Sequence, residues 1–220
     1  MKGKFESLNL KQELLENLKE LNFHSMTPIQ AKGLPVVLAK RDIIAKAKTG
    51  SGKTAAFGLG ILNSLNISNT RVQSLILCPT RELAEQVAKE IRTLARMLKN
   101  VKVLTITGGT PEYHQEKSLG HGAHIIVGTP GRVLRLLGKN TLKLHTANSL
   151  VLDEADRMLD MGFQEDILKI AHEIPKDRQT LLFSATFPEA IKDLGLELQS
   201  DAELVEVDTE HSKDIIEQSF

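Results

Sequence analysis

Two short stretches of this chain carry side chains suited to phosphate chemistry. In Ala47-Lys48-Thr49-Gly50-Ser51-Gly52-Lys53-Thr54, glycines let consecutive backbone N–H groups converge on one anion, and a lysine and a hydroxyl follow at once. Lys53 is placed to reach the β- and γ-phosphates of a nucleotide, and the Thr54 hydroxyl to hold Mg²⁺. The general phosphate-loop pattern opens on Gly, where this chain has Ala47. The alternative is a glycine-rich turn that happens to precede a helix. The second stretch is Asp153-Glu154, two acids directly after the apolar Val151-Leu152. Asp153 suits a Mg²⁺ ligand, directly or through water, and Glu154 a group that positions or deprotonates an attacking water. Their alternative is the acidic first turn of a helix, which Asp and Glu favour.

These residues need elements to hold them, and the hydrophobic pattern supplies candidates. Ile43-Ile44-Ala45 is a short apolar run, read as a buried strand, and the helix-forming AAFGLGILNSL follows the glycine loop. Leu10, Leu14, Leu18 and Leu21 fall on one helical face, as do Leu83, Val87, Ile91, Leu94 and Leu98. Lys89, Arg92, Arg96 and Lys99 lie elsewhere on that second helix, where a solvated face is the default. Further strands are predicted at Val72–Cys78, Val101–Thr107, Ile125–Val127, Ser149–Leu152 and Gln179–Phe183, with a last one at Leu204–Val207. Helices are predicted at Val133–Leu137 and along Phe163, Ile167, Ile170 and Ile174. Strands alternating with helices predict an α/β domain with an open, mostly parallel sheet covered on both faces. Nearly every predicted strand after the first ends in a polar or small-residue cluster. In such sheets, ligands bind beyond the carboxyl ends of the strands.

Composition sets limits on this picture. The 220 residues suffice for one good core. Lys+Arg and Asp+Glu number 28 each, so a nucleic-acid partner must be met by a local basic patch rather than by net charge. One cysteine, Cys78, excludes a disulfide framework and a zinc site of clustered thiols; at the end of an apolar run it reads as a buried, inert thiol. No apolar run approaches a membrane span and the amino-terminal stretch has no apolar signal region, which predicts a cytoplasmic protein.

Taken together, the motifs resemble the first RecA-like domain of a DEAD-box RNA helicase. They occur in that family's order: Thr27-Pro28-Ile29-Gln30, the glycine loop at 47–54, Pro79-Thr80-Arg81-Glu82-Leu83-Ala84, Gly108-Gly109, Thr129-Pro130-Gly131-Arg132, Asp153-Glu154-Ala155-Asp156 and Ser184-Ala185-Thr186. The family's loop itself opens on Ala, which accounts for Ala47. The resemblance implies a RecA-like P-loop NTPase fold over residues 1–210, with an adenine-recognition segment at 5–30. Residues 211–220 would begin a linker to a second RecA-like domain. It implies ATP or ADP with Mg²⁺ as cofactor, RNA as partner, a monomer, and ATP hydrolysis that remodels RNA.

Residue by residue, the resemblance assigns adenine recognition to Gln30 with Phe23 beside the base, and Phe5 matches an isolated upstream aromatic. Pro79-Thr80-Arg81, Gly108-Gly109 and Thr129-Pro130-Gly131-Arg132 match segments that hold the RNA backbone. Ser184 and Thr186 match a motif linking the nucleotide site to strand separation. Each also has a local reading. Gln30 completes a capping box with Thr27, Gly108-Gly109 is an ordinary loop, and Ser184 and Thr186 are capping residues before Pro188. Two residues depart from the family's adenine motif: Asn22 stands for its Gly and Met26 for a Pro. Asn tolerates left-handed backbone, so the first change is mild. Met26, with AKTGSGKTAAFGLG and LCPTRELAEQVA, is similar to the bacterial DbpA group, which acts on ribosomal RNA. No arginine-rich second-domain motif is present, so the domain is expected to be one half of an active site. Competing readings are a nucleotide-gated RNA-binding module with little turnover, and a small-molecule P-loop kinase. The kinase leaves PTRELA and TPGR unexplained.

Overall fold

The computed structural model describes residues 3–207; the expected linker start at 211–220 lies outside them. Seven strands form a single sheet: β1 (Ile43–Lys46), β2 (Ser74–Leu77), β3 (Val103–Ile106), β4 (Ile125–Gly128), β5 (Ser149–Leu152), β6 (Gln179–Ser184) and β7 (Glu203–Glu206). Their order is β3-β4-β2-β5-β6-β1-β7, and every pairing is parallel, more uniform than the mostly parallel sheet expected.

The two-residue side-chain period of the strands divides the core. Ile76, Cys78, Ile125, Val127, Val151, Leu181 and Phe183 face one side. There they meet helices α1 (Gln12–Glu20), α2 (Pro28–Leu38), α3 (Lys53–Ser64) and α4 (Arg81–Leu94). Leu75, Leu77, Ile126, Leu150, Leu152 and Leu182 face the other, beneath α6 (Pro130–Gly138), α7 (Ala155–Asp160), α8 (Gln164–His172) and α9 (Glu189–Leu198). Strands apolar on both faces are what a sheet sandwiched between helices requires. Phe57 of α3 and Phe183 of β6 pack with ring centroids 5.3 Å apart, pinning the phosphate-loop helix against the sheet.

The ladders are shorter than the apolar runs. Val72 and Cys78 are buried but lie outside β2, and β3 covers only the middle of Val101–Thr107, because burial continues into the turns after pairing stops. The helix expected from Val133 begins at Pro130, where the fixed proline φ suits a first helical position. Leu98, expected on the face of α4, lies beyond its end at Leu94 and is buried from the following turns. α5 (Glu112–Gly120) was not expected at all. Its one fully buried residue is Gln115, so it carries no apolar stripe to read.

Candidate functional site

The carboxyl ends of the strands sort the motifs into two neighbouring groups. β5, β6 and β1 are consecutive in the sheet and end at Asp153-Glu154, Ser184-Ala185-Thr186 and the glycine loop. β3, β4 and β2 are likewise consecutive and end at Gly108-Gly109, Thr129-Pro130-Gly131-Arg132 and Pro79-Thr80-Arg81.

In the first group, residues 47–54 run from β1 into the start of α3. The loop is tied to the neighbouring strand by the Ala47 N–H, which donates to the Ser184 carbonyl at 2.9 Å. Gly52 caps α3 at φ 92°, a backbone open to glycine. A β-carbon there would sit 2.5 Å from the Gln30 Nε2, so the glycine also makes room for that side chain. Lys53 and Asp153 are both buried, their charged groups 3.5 Å apart. Burial pushes the Asp153 carboxyl up to about 6, against the opposing pull of Lys53.

Lys53 Nζ, Asp153 Oδ1, Ser51 Oγ and Ser184 Oγ are buried without a hydrogen-bond partner among the described residues. Buried polar atoms are normally paired, and beyond the Lys53–Asp153 contact these are open to a bound group that brings its own charges. A phosphate chelated to Mg²⁺ fits it: the lysine and loop N–H groups suit the anion, and the carboxylate and Thr54 hydroxyl suit the metal. Glu154 sits beside it at φ 56°, ψ 51°, an uncommon conformation for a non-glycine residue. Both of its oxygens are engaged, Oε1 by the Thr49 hydroxyl at 2.6 Å and Oε2 by Arg157 at 2.7 Å. Burial works to raise its carboxyl, but these two bonds and the Lys53 charge outweigh it and hold the group below the ordinary range.

Ser184 and Thr186 do not cap the helix that follows; its cap position is Pro188. Thr186 instead donates its N–H and its hydroxyl to Asp156 Oδ2, at 2.9 and 2.8 Å, joining the end of β6 to the turn after β5. Gln30 keeps its capping role, its Oε1 accepting the Thr27 N–H at 2.9 Å. Its Nε2 also reaches across to the Gly52 carbonyl at 3.1 Å, so the amide touches the phosphate loop directly. Phe23 is half-exposed, packs edge-on against Phe5 at 6.4 Å, and borders a cavity of about 350 Å³ shared with Leu21, Ala55, Gln86 and Thr93. Gln30 does not line that cavity. Asn22 has φ 59°, the left-handed backbone its family position calls for, and Met26 is buried.

In the second group, the N-termini of α4 and α6 emerge side by side from the adjacent strands β2 and β4. Their unpaired first-turn N–H groups and positive dipole ends favour anions. Thr80 caps α4 by accepting the Leu83 N–H at 3.2 Å. Gly109 has φ 79°, which favours glycine, and the Arg81 guanidinium lies over it where a β-carbon would stand. Arg132 Nη1 donates to the Thr110 carbonyl at 3.2 Å and to Gln115 Oε1 at 3.0 Å. Arg92, placed by default on a solvated face, donates to the Val103 carbonyl at 2.9 Å. Two residues escaped the sequence reading. Arg157, the partner of Glu154, was visible in principle as an i,i+3 charge pair; Gln115 left no signal.

A parallel α/β sheet with a phosphate loop after one strand, and paired acids at the end of a strand two places away, defines a P-loop nucleotide-binding domain. A family profile described as DEAD/DEAH box helicase matches residues 27–194, and the chain belongs to that family. It is 53% identical over 217 residues to the ATP-dependent RNA helicase DbpA of Escherichia coli (strain K12), a match covering 98% of this chain and 48% of that protein. It is 45% identical to the DEAD-box ATP-dependent RNA helicase CshA of Geobacillus kaustophilus (strain HTA426), covering 92% of this chain and 43% of that one. The chain thus spans about half the length of these curated relatives. Among solved structures, a DEAD box protein from the hyperthermophile Methanococcus jannaschii superposes with a TM-score of 0.89 at 42% identity, over 93% of this chain and 56% of that one. Among the described residues, no helix is long and apolar enough to cross a membrane.

Proposed function

We propose that this chain is the ATP-binding and first RNA-binding half of an ATP-dependent RNA helicase that remodels or locally unwinds RNA, ribosomal RNA being the substrate class its DbpA-like residues suggest. The observation that carries this reading is the sorting of the sheet edge. Three consecutive strands end in the buried Lys53–Asp153 pair and in hydroxyls that make no hydrogen bond among the described residues, suited to a nucleotide, and the next three end in two helix N-termini, a glycine turn and arginines suited to a sugar–phosphate backbone.

Within that reading, the N–H groups and side chains of Ala47, Lys48, Thr49, Gly50, Ser51 and Gly52 enclose the phosphates. Lys53 neutralises them, and Thr54 and Asp153 hold Mg²⁺. The metal, when bound, supplies charge neutralisation between phosphate oxygens. Glu154 orients the attacking water and takes its proton, a role that requires the Thr49 or Arg157 bond to yield one carboxylate oxygen. Gln30, with one N–H and one lone pair beyond its present bonds, reads the adenine edge, and Phe23 lies beside the base. Arg81, Arg132, the Gly108-Gly109 turn and the α4 and α6 N-termini hold RNA by its backbone, without sequence preference. Ser184 and Thr186 pass strain between β6 and the Asp156 turn. The protein acts as a cytoplasmic monomer.

Turnover needs charge stabilisation from a second RecA-like domain, since an arginine supplied from outside contributes about 10³–10⁵ in rate. The 220-residue chain is therefore expected to bind ADP and ATP and to show negligible RNA-stimulated ATPase, which returns when a second RecA-like domain is fused after it. Steady-state ATPase and duplex-unwinding assays on both forms test this. Strong RNA-stimulated turnover by the chain alone would overturn it.

A further inference from the structure

α5 sets only the partly buried Leu119 against the core, and its single buried residue is an amide. Burying an amide costs free energy unless both its ends are paired, and Gln115 is paired at both. Its Nε2 donates to the Thr107 carbonyl at 2.8 Å and to the Thr110 hydroxyl at 2.6 Å, which span the Gly108-Gly109 turn. Its Oε1 accepts from Arg132 Nη1 at 3.0 Å, and the same Nη1 reaches the Thr110 carbonyl at 3.2 Å. One side chain thus joins the turn after β3 to the first turn of α6. Arg132 keeps its Nε and Nη2 free of partners among the described residues, so the network holds the guanidinium without using it up.

From this juxtaposition we propose that Gln115 is a positioning residue for RNA: it locks Arg132 and the 107–110 turn into one rigid unit, spaced to meet neighbouring phosphates of a single strand. The proposal rests on the reading of this edge as an RNA-binding surface. Without Gln115 only the 3.2 Å bond from Arg132 to the Thr110 carbonyl joins turn and arginine, and binding must order what that bond leaves loose at its own cost. The effect belongs to RNA and not to the nucleotide, because β3 and β4 lie at the opposite side of the sheet from the phosphate loop.

The test measures binding of a fluorescein-labelled oligouridylate to the 220-residue chain by anisotropy at fixed low salt, beside ADP binding and melting temperature. Gln115→Met is expected to weaken RNA binding about 3- to 10-fold, in line with the loss of a bond or two, while ADP affinity stays unchanged. In an Arg132→Ala background the same substitution should cost less than about twofold, because its main target is gone. A merely structural role would give the same factor in both backgrounds, and that result would overturn the proposal. If Gln115→Met melts too low to measure, Gln115→Asn serves: it keeps the amide but is one methylene too short to span both partners. RNA affinity equal to wild type in either measurable variant also overturns it. Equal RNA affinity for wild type and Arg132→Ala would instead remove the RNA reading itself, and this proposal with it.

Discussion

At the ends of β5, β6 and β1, buried polar atoms of Lys53, Asp153, Ser51 and Ser184 make no hydrogen bond among the described residues, Lys53 and Asp153 facing each other as an ion pair across 3.5 Å. At the ends of β3, β4 and β2, the polar side chains satisfy one another: Gln115 with Thr107, Thr110 and Arg132, and Thr80 with the start of α4. The difference follows from where each ligand would lie. On the proposed function, a nucleotide phosphate would enter a buried site, where the Lys53–Asp153 pair can open to it without breaking a close hydrogen bond. An RNA backbone would lie on the surface, where water solvates spare N–H groups until it arrives. The protein could then use internal bonds to fix geometry in advance. The contrast is one of degree, since Glu154 on the first side is already engaged at both oxygens.

The comparison breaks most sharply at Glu154. Glu154→Gln preserves volume and one acceptor, so nucleotide affinity should hardly change, whereas ATPase in a two-domain form should fall by about 10²–10⁴. Parallel calorimetry and turnover measurements check this division. Lys53→Ala should do the reverse, weakening ADP binding by about 10- to 100-fold through loss of a charge-assisted contact, with RNA binding by the chain alone unaffected. If the two substitutions damaged ADP affinity equally, the assignment of ground-state binding to Lys53 and chemistry to Glu154 would fail.

A smaller effect is expected at Gln30, which bridges helix cap and phosphate loop. Gln30→Ala should cost roughly 1–3 kcal/mol of ADP affinity and leave GDP affinity much less altered, because guanine reverses the donor and acceptor order of adenine. Loss of the cap should also lower stability by about 1 kcal/mol, read from denaturant unfolding. Equal wild-type affinity for the two nucleotides would remove the adenine role and leave Gln30 a structural bridge.

The smallest expected effect is a pH dependence at the joint between the acid turn and β6. Burial works to raise the Asp156 carboxyl, but its bonds from Thr186 outweigh this and hold it below the ordinary carboxylate range. A depressed native value means that the stabilisation is present above the unfolded value of about 3.9 and is lost as pH falls through the native one. The melting-temperature gap between wild type and Asp156→Asn should therefore be steady near neutrality and narrow below about pH 4. A gap that stayed constant down to pH 3 would show that charge at Asp156 contributes nothing.

Much of this site was legible in the chain because its signals are local. Thr49-Gly50-Ser51-Gly52-Lys53-Thr54 sets its backbone by glycine content and its chemistry by two neighbouring side chains, and Val151-Leu152-Asp153-Glu154 carries both strand and acids within four positions. Asn22, standing where the resembled motif has glycine, takes the left-handed backbone that asparagine tolerates. Residues whose roles depend on long-range partners were not readable. Ser184 and Thr186 taken locally read as caps, and only the resemblance gave them a linking role; the fold sets Asp156 against Thr186, 30 positions away.

The sequence alone therefore determined the strands, most of the helices that cover them and the phosphate loop, because burial periodicity and glycine conformational freedom act within a few residues; α5, with one buried residue, and the helices α7 and α9 were not marked. Only the tertiary structure decided the strand order, since parallel pairing is chosen by how helices cover the two faces and not by any single strand. That order set β6 between β5 and β1, divided the motif ends into two neighbouring groups of three strands, and placed Gln115 where a lone amide could join two loops.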